Sequence, residues 1–367
     1  MEYKELNEIL QYEQPTKYLV DSVNYSNEFK TPVLTAGQTF ILGFTDEENN
    51  IFPADKLPVI IFDDFTTASK YVDFPFKVKS SAMKILLPIK NTNLKYVFYA
   101  MQNLHFDAST HKRYWISAYS NLKIPMPTLE EQNKIVERLD KIQALIEENK
   151  KQIDLCNELK KCKFREMFGT NKKNEKHWNK LKLEEVTEKI TDGKHGGCEK
   201  KENSGYYFIG ATEIRNFKIN YENATQITKE DFVKDYNRCD LKIGDLVIVN
   251  TGATIGKTAI ADNHLTEKTL LQKSVAMIRT KKEKLIPTFL QYCYVCNEEL
   301  YNQGQGCARV NLLLSQIKNT EIILPPTNLQ KEFEDYVMKV NFLISNYENE
   351  LNKLSELYNG LMNKYFN

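Results

Sequence analysis

The chain has 367 residues, 41% hydrophobic and 27% charged, with a formal net charge of +1 at pH 7. At roughly 150 residues per domain, that is enough for two or three domains with cores of their own. A mean hydropathy of −0.51 with no long apolar run excludes a membrane-spanning helix, and the polar start MEYKELNEIL is no secretory signal.

Residues 1–126 read as a mixed α/β block. A short helical start, LNEIL, precedes strand-like runs in TPVLTAG, TFILGFT, LPVIIFDDF and YVDFPFKV, and LKYVFYAMQNLHF reads as a buried helix. HKRYWISAY follows, with Tyr114 and Trp115 suited to a core and His111, Lys112 and Arg113 to an exposed turn. From Pro127 to Gly169 the apolar positions Ile135, Leu139, Ile142, Ile146, Ile153 and Cys156 step by fours and threes through Asn149, which is a heptad seam. Beyond Cys156, Leu159, Phe164 and Phe168 continue a looser apolar face, and Gly169–Lys176 is the one linker-like stretch.

Residues 170–325 repeat the pattern. LKLEEVTEKI opens as LNEILQYEQ does, strands are expected in YYFIGATEI, DLVIVNTGATIGKTAI and SVAMIRT, and FLQYCYVCNEEL takes the place of LKYVFYAMQN. Residues 326–367 carry a second seam through Phe333, Val337, Val340, Ile344, Tyr347 and Leu351. Without a gap, Pro127 falls on Pro325, Gln132 on Gln330, Ile135 on Phe333 and Phe168 on Phe366. Two seams in one register, each trailing a larger block, mark a duplicated unit.

Net charge is −1 over residues 1–125, zero over 126–170, +4 over 171–326 and −2 over 327–367. Any nucleic-acid contact therefore uses local patches rather than overall charge. Seven scattered cysteines without framework spacing point to reduced thiols in a cytoplasm. Cys293-x-x-Cys296 has no second ligand pair at metal spacing, so no metal is expected.

Gly252-Ala-Thr-Ile-Gly256-Lys257-Thr258 has three residues where a phosphate-binding loop needs four, and strand-like runs flank it on both sides. It reads instead as a tight glycine turn in a hairpin, with Thr251, Thr254 and Lys257 suited to a phosphate backbone. Asp192-Gly-Lys-His-Gly-Gly197 is a compact basic loop. The chain contains no N-P-P-[FYW] or D-P-P-[YW] tetrapeptide, no nuclease-like carboxylate cluster with a lysine and no paired histidines, so no catalytic residue is expected.

Two α/β blocks, each trailed by a long helix that opens with Pro and Gln before a heptad run, resemble the specificity subunit of type I restriction–modification systems. PTLEEQNKIVERLDKI and PPTNLQKEFEDYVMKV resemble the two repeated helical regions of that family, TDGKHGG its recognition loop and TGATIGKTAI its glycine hairpin. LPVIIFDDFTTASKYVDFPF occupies the matching place in the first block without those glycines. The resemblance implies an α+β fold class: target recognition domains at 1–126 and 170–325, spacer helices at 127–169 and 326–367, and the helices paired as an antiparallel coiled coil with pseudo-two-fold symmetry. It implies a non-catalytic cytoplasmic protein of a bacterium or archaeon that reads a bipartite double-stranded DNA site. Two methyltransferase subunits carrying S-adenosylmethionine and restriction subunits using ATP and Mg would be its partners. A stand-alone coiled-coil adaptor and an enzyme with its own nuclease or methyltransferase activity are the rival readings.

Polar and basic side chains in turns beside strands supply the candidate DNA contacts. In the first block these are Thr66, Thr67, Lys70, His111, Lys112 and Arg113, and in the second Lys194, His195, Thr251, Thr254, Lys257 and Arg309. Asn149 is either a tolerated polar residue in the seam or the residue that fixes antiparallel register.

Overall fold

A computed structural model describes residues 2–35, 39–89, 92–110, 112–301 and 311–367. Two compact units divide them. The first comprises residues 1–150 with 349–367, and the second residues 151–348.

In the first unit, the strands β1 (Leu10–Glu13), β2 (Val59–Asp63), β3 (Ser69–Val72) and β4 (Met83–Pro88) form an antiparallel sheet in the order β1-β4-β2-β3. The run Val59-Ile60-Ile61-Phe62 is apolar throughout because both faces of the sheet are covered. Ile60 and Phe62 join a core with helix α1 (Leu94–Asn103), while Val59 and Ile61 join Tyr18, Phe52 and Phe76 on the other face. A parallel pair, Thr31–Leu34 with Lys77–Val78, flanks the sheet, and Tyr3–Glu5 pairs with Lys123–Pro125.

The long helix α2 (Leu129–Phe168) follows. Thr128 caps it, accepting from Glu131 N at 3.3 Å while the Glu131 side chain accepts from Thr128 N at 3.3 Å.

The second unit repeats this order. Strands β5 (Thr187–Asp192), β6 (Leu246–Val249), β7 (Thr258–Ile260) and β8 (Val275–Thr280) form an antiparallel sheet ordered β5-β8-β6-β7, the same permutation. The strand residues again alternate between two cores, Leu246 and Ile248 in one, Val247 and Val249 in the other. The parallel pair is Tyr207–Ile209 with Thr269–Leu271, and Lys180–Lys182 pairs with Glu321–Ile323. Helix α3 (Lys229–Cys239) lies between β5 and β6, α4 (Pro287–Cys296) matches α1, and α5 (Thr327–Phe366) is the second long helix. Cys293 and Cys296 lie on α4 among packed side chains, where burial raises both thiols.

Within the first unit, Ile135, Val136 and Leu139 of α2 share a core with Met362 and Phe366 of α5. Within the second, Cys156 packs with Val340 and Ile344, and Phe164 with Phe333 at 5.4 Å between ring centroids. Low numbers on one helix meet high numbers on the other, so the helices run antiparallel. Ile135, Leu139, Ile142, Ile146, Phe333, Val337, Val340 and Ile344 are buried, and Ile153, Tyr347 and Leu351 are partly buried.

The structure corrects two expectations, at Leu159 and at Gly169–Lys176, and bears on the open reading of Asn149. Leu159 is 50% exposed, and Lys160, the next step of the four-three period, is buried in its place at 2%. The period outranks hydrophobicity there because backbone geometry decides which residue faces inward. Asn149 is buried but donates to Leu145 O of its own helix at 2.9 Å. Polar bonds that join the helices are instead Lys160 Nζ to Asn341 Oδ1 at 2.8 Å and Arg138 to Tyr365 OH at 3.0 Å. Gly169–Lys176 is no loose linker: Asn171 is buried, donates to Glu321 O and accepts from Ile323 N.

Each block is fastened to its long helix by the same residue type. Gln132 accepts from Asn93 N at 3.0 Å and donates to Pro127 O at 2.9 Å. Gln330 accepts from Ile286 N at 2.9 Å and donates to Lys284 O and Pro325 O. Each glutamine satisfies an orphan N–H at the start of α1 or α4 from the first turn of a long helix.

Candidate nucleic-acid interface

Strand directions gather most of the described candidate residues at one end of each sheet. In the second unit, Asp192 at the end of β5 faces Ala276 of β8, Val249 at the end of β6 faces Val275, and Thr258 opens β7. The connections 193–197, 250–257 and 272–274 therefore emerge together.

The loop after β5 is bolted down. A Cβ on Gly193 would stand 2.2 Å from Leu271 O, so only glycine fits. Arg238 of α3 donates through Nε to the carbonyls of Asp192 and Gly193 and through a terminal nitrogen to the Asp192 carboxylate. His195 Nε2 lies 3.1 Å from the other Asp192 oxygen. Burial alone would raise the Asp192 carboxyl, but Arg238 and His195 outweigh it and hold it below the usual carboxylate range. His195 is exposed. Lys194 turns inward, its side chain 13% exposed, to pair with Asp235 at 2.6 Å, and this partner raises its pKa. Lys194 thus fastens the loop to α3 in this structure.

The glycine stretch is a hairpin loop, with Val249 N donating to Lys257 O at 2.8 Å and Gly256 N to Val249 O at 2.9 Å. A strand, β7, follows it where a phosphate-binding loop would open a helix. Gly252 and Gly256 have positive φ, and a Cβ on Gly256 would strike the Tyr301 ring at 2.4 Å. Lys257 is exposed, while Thr251 and Thr254 are half-buried. Asn250 N donates to Ser274 O, which ties the loop base to the connection carrying the exposed Lys273. Sequence reasoning missed Lys273; strand pairing alone brings it here. Arg309 lies outside the described residues.

In the first unit, Asp63 at the end of β2 faces Met83 at the start of β4, and Ser69 opens β3. The Asp63 carboxylate accepts from Phe65 N at 2.8 Å and Thr66 N at 3.3 Å, closing a tight turn. Thr66 is exposed, Thr67 is half-buried at φ 60°, and Lys70 is exposed on β3. Lys112 and Arg113 are exposed, whereas Tyr114 and Trp115 are 2% exposed core residues. His111 lies outside the described residues.

Among the described residues, no three His, Cys, Asp or Glu side chains form a metal-holding group, and no helix is long and apolar enough to cross a membrane.

A family model described as the type I restriction modification DNA specificity domain matches residues 1–155 and 175–356. The chain belongs to this family. The chain is 52% identical over 159 residues to the Escherichia coli type I restriction enzyme EcoR124I/EcoR124II specificity subunit, covering 40% of this chain and 39% of that protein. It is 27% identical over 263 residues to the Methanocaldococcus jannaschii type I restriction enzyme MjaVIII specificity subunit, covering 67% and 61%. It thus spans about two-fifths and three-fifths of these relatives. The crystal structure of a type I restriction-modification S subunit from M. genitalium superimposes with a TM-score of 0.61 at 15% identity, over 100% of this chain and 96% of that one. A chain from a structure concerning complex assembly and conformational transition of the type I R-M system gives 0.53 at 16% identity, over 99% and 97%. These likenesses show the fold, which is α+β with two long helices.

Proposed function

We propose that this type I specificity chain is a non-catalytic DNA-recognition and scaffold subunit of a restriction–modification complex. One observation carries the reading. The same sheet permutation occurs twice, each time gathers polar loops at one sheet end, and each time is fastened by a buried glutamine to a heptad helix. Residues 1–126 and 170–325 are the two readers, each for half of a bipartite, asymmetric duplex site. Thr66, Lys70, Lys112 and Arg113 in the first and His195, Thr251, Thr254, Lys257 and Lys273 in the second are the contacts we favour. The long helices dock methyltransferase subunits, which carry S-adenosylmethionine, and restriction subunits, which use ATP and Mg. The compartment is the cytoplasm of a bacterium or archaeon.

At about 1.5 Å per residue, 40 residues of helix run roughly 60 Å, longer than one ~34 Å turn of B-DNA. The helices therefore set the gap between half-sites. Retention on a duplex column with elution by salt tests the reading, because phosphate contacts make binding fall with salt. Lys257→Ala should weaken binding to all sequences and lower the salt slope by about one. A chain that ignores duplex DNA at low salt, or that methylates it alone, would refute the reading.

A further inference from the structure

The first unit buries a complete ion pair at the loop end of its sheet. Asp64 and Lys84 are each 1% exposed, with Oδ2 and Nζ 3.4 Å apart. Lys84 also stands 5.2 Å from the centre of the Tyr12 ring. Asp64 follows Asp63 by one residue but turns the other way, inward rather than over the turn.

Its remaining bonds reach two other segments. Asp64 N donates to Ala82 O at 3.2 Å. Asp64 O accepts from Tyr114 N at 2.8 Å, and Oδ1 accepts from Trp115 N at 2.8 Å. Trp115 is then held against Phe62, with ring centroids 5.1 Å apart. Tyr114 OH closes the stretch on itself by donating to the Thr110 carbonyl. One residue thus joins the end of β2, the start of β4 and the segment 112–116. Of residues 112–116, those exposed to solvent are Lys112, Arg113 and Ile116, the last 63% exposed. Among the described residues neither Lys112 nor Arg113 has an ionic partner. A charge pair removed from water survives only when its remaining bonds are made, which holds its neighbours in one geometry.

We propose that Asp64, held by Lys84, is the positioning residue of the first reader and that Ile116 is a specificity-determining residue. Ile116 meets an apolar base edge, the thymine methyl in the major groove, while Lys112 and Arg113 hold the flanking phosphates. The inference rests on the DNA-reading function proposed above and adds the residues that carry one half of it. Ile116 is an apolar side chain offered to solvent directly after two fixed aromatics and two cations without ionic partners, Lys112 lying 5.5 Å from the centre of the Tyr114 ring, an arrangement that suits base contact better than solvation.

The test is selection from a randomised duplex library by the full chain and its variants. Ile116→Ala, on an exposed side chain that leaves the fold intact, should lower affinity about tenfold, with preference lost at one base pair of one half-site and the salt slope unchanged. Asp64→Asn leaves Lys84 buried and unpaired and should blur that half-site while the other stays sharp. Asp64→Asn with Lys84→Met removes the stranded charge, keeps the acceptor for Trp115 N and should restore the half-site to within about threefold. Blurring of both half-sites by Asp64→Asn would reduce the pair to a purely structural role. Unchanged preference at every position in Ile116→Ala would overturn the base contact. Failure of the unaltered chain to select any sequence would instead overturn DNA reading itself.

Discussion

The two blocks share a topology and differ in how they stiffen the same end of it. The first closes its β2–β3 turn with an aspartate and holds the neighbouring segment by the buried Asp64–Lys84 pair. The second spends glycines, Gly193 under Leu271 O and Gly256 under Tyr301, and clasps its loop from outside with Arg238. The fold dictates where loops emerge, and a half-exposed clasp or a buried pair decides what they present. The helix surfaces differ in the same way. Lys160 of the second unit is matched 198 residues on by Tyr358, which lies 6.5 Å from Tyr99 in the first.

The largest effect should come from the shared element. Gln330→Ala removes three hydrogen bonds and strands Ile286 N and two carbonyls, an expected loss of about 3 kcal/mol at roughly 1 kcal/mol per bond. Gln132→Ala loses two and should cost about 2 kcal/mol. Denaturant unfolding measures both, and losses below about 0.5 kcal/mol would show that the glutamines do not fasten the blocks.

These glutamines, the entry prolines and the seams were legible because they recur in one register. The sheet strands were legible as apolar runs between turn residues. Lys194's inward pairing was not, because Asp235 lies 41 residues away on α3, a helix whose signals, Thr228 as cap and Phe232 on its buried face, went unread. Lys160 was missed because a charge in a seam contradicts the hydrophobic pattern, and Gly169–Lys176 because its composition is that of a linker while its bonds are those of a clasp.

Lys160 sharpens the helix comparison. Burial pushes its amine down to about 8, with Cys156, Lys218 and Glu348 as lesser influences. The folded chain therefore disfavours the charged form below that pH, and the penalty fades as pH rises toward the unfolded value near ~10.4. Stability of the native chain should rise across that window, whereas Lys160→Met should show no such rise. At pH 7 the variant should gain about 1 kcal/mol, the relief of burial exceeding the lost bond to Asn341. Parallel pH profiles for the two proteins would contradict this.

The smallest effect concerns the turns. Thr67 holds φ at 60°, a place the second block gives to glycine at Gly252 and Gly256. Thr67→Gly should stabilise by about 0.5–1 kcal/mol as strain is relieved. A loss of stability in thermal melts would mean that its side-chain contacts outweigh the backbone cost.

The central claim is that two copies of one fold read DNA independently on shared helices. Exchanging residues 1–126 for the corresponding block of a relative with another specificity, then mapping the methylated motif, tests it most directly. We expect one half-site to change while the other half-site and the gap between them stay the same. A motif altered in both halves would contradict it.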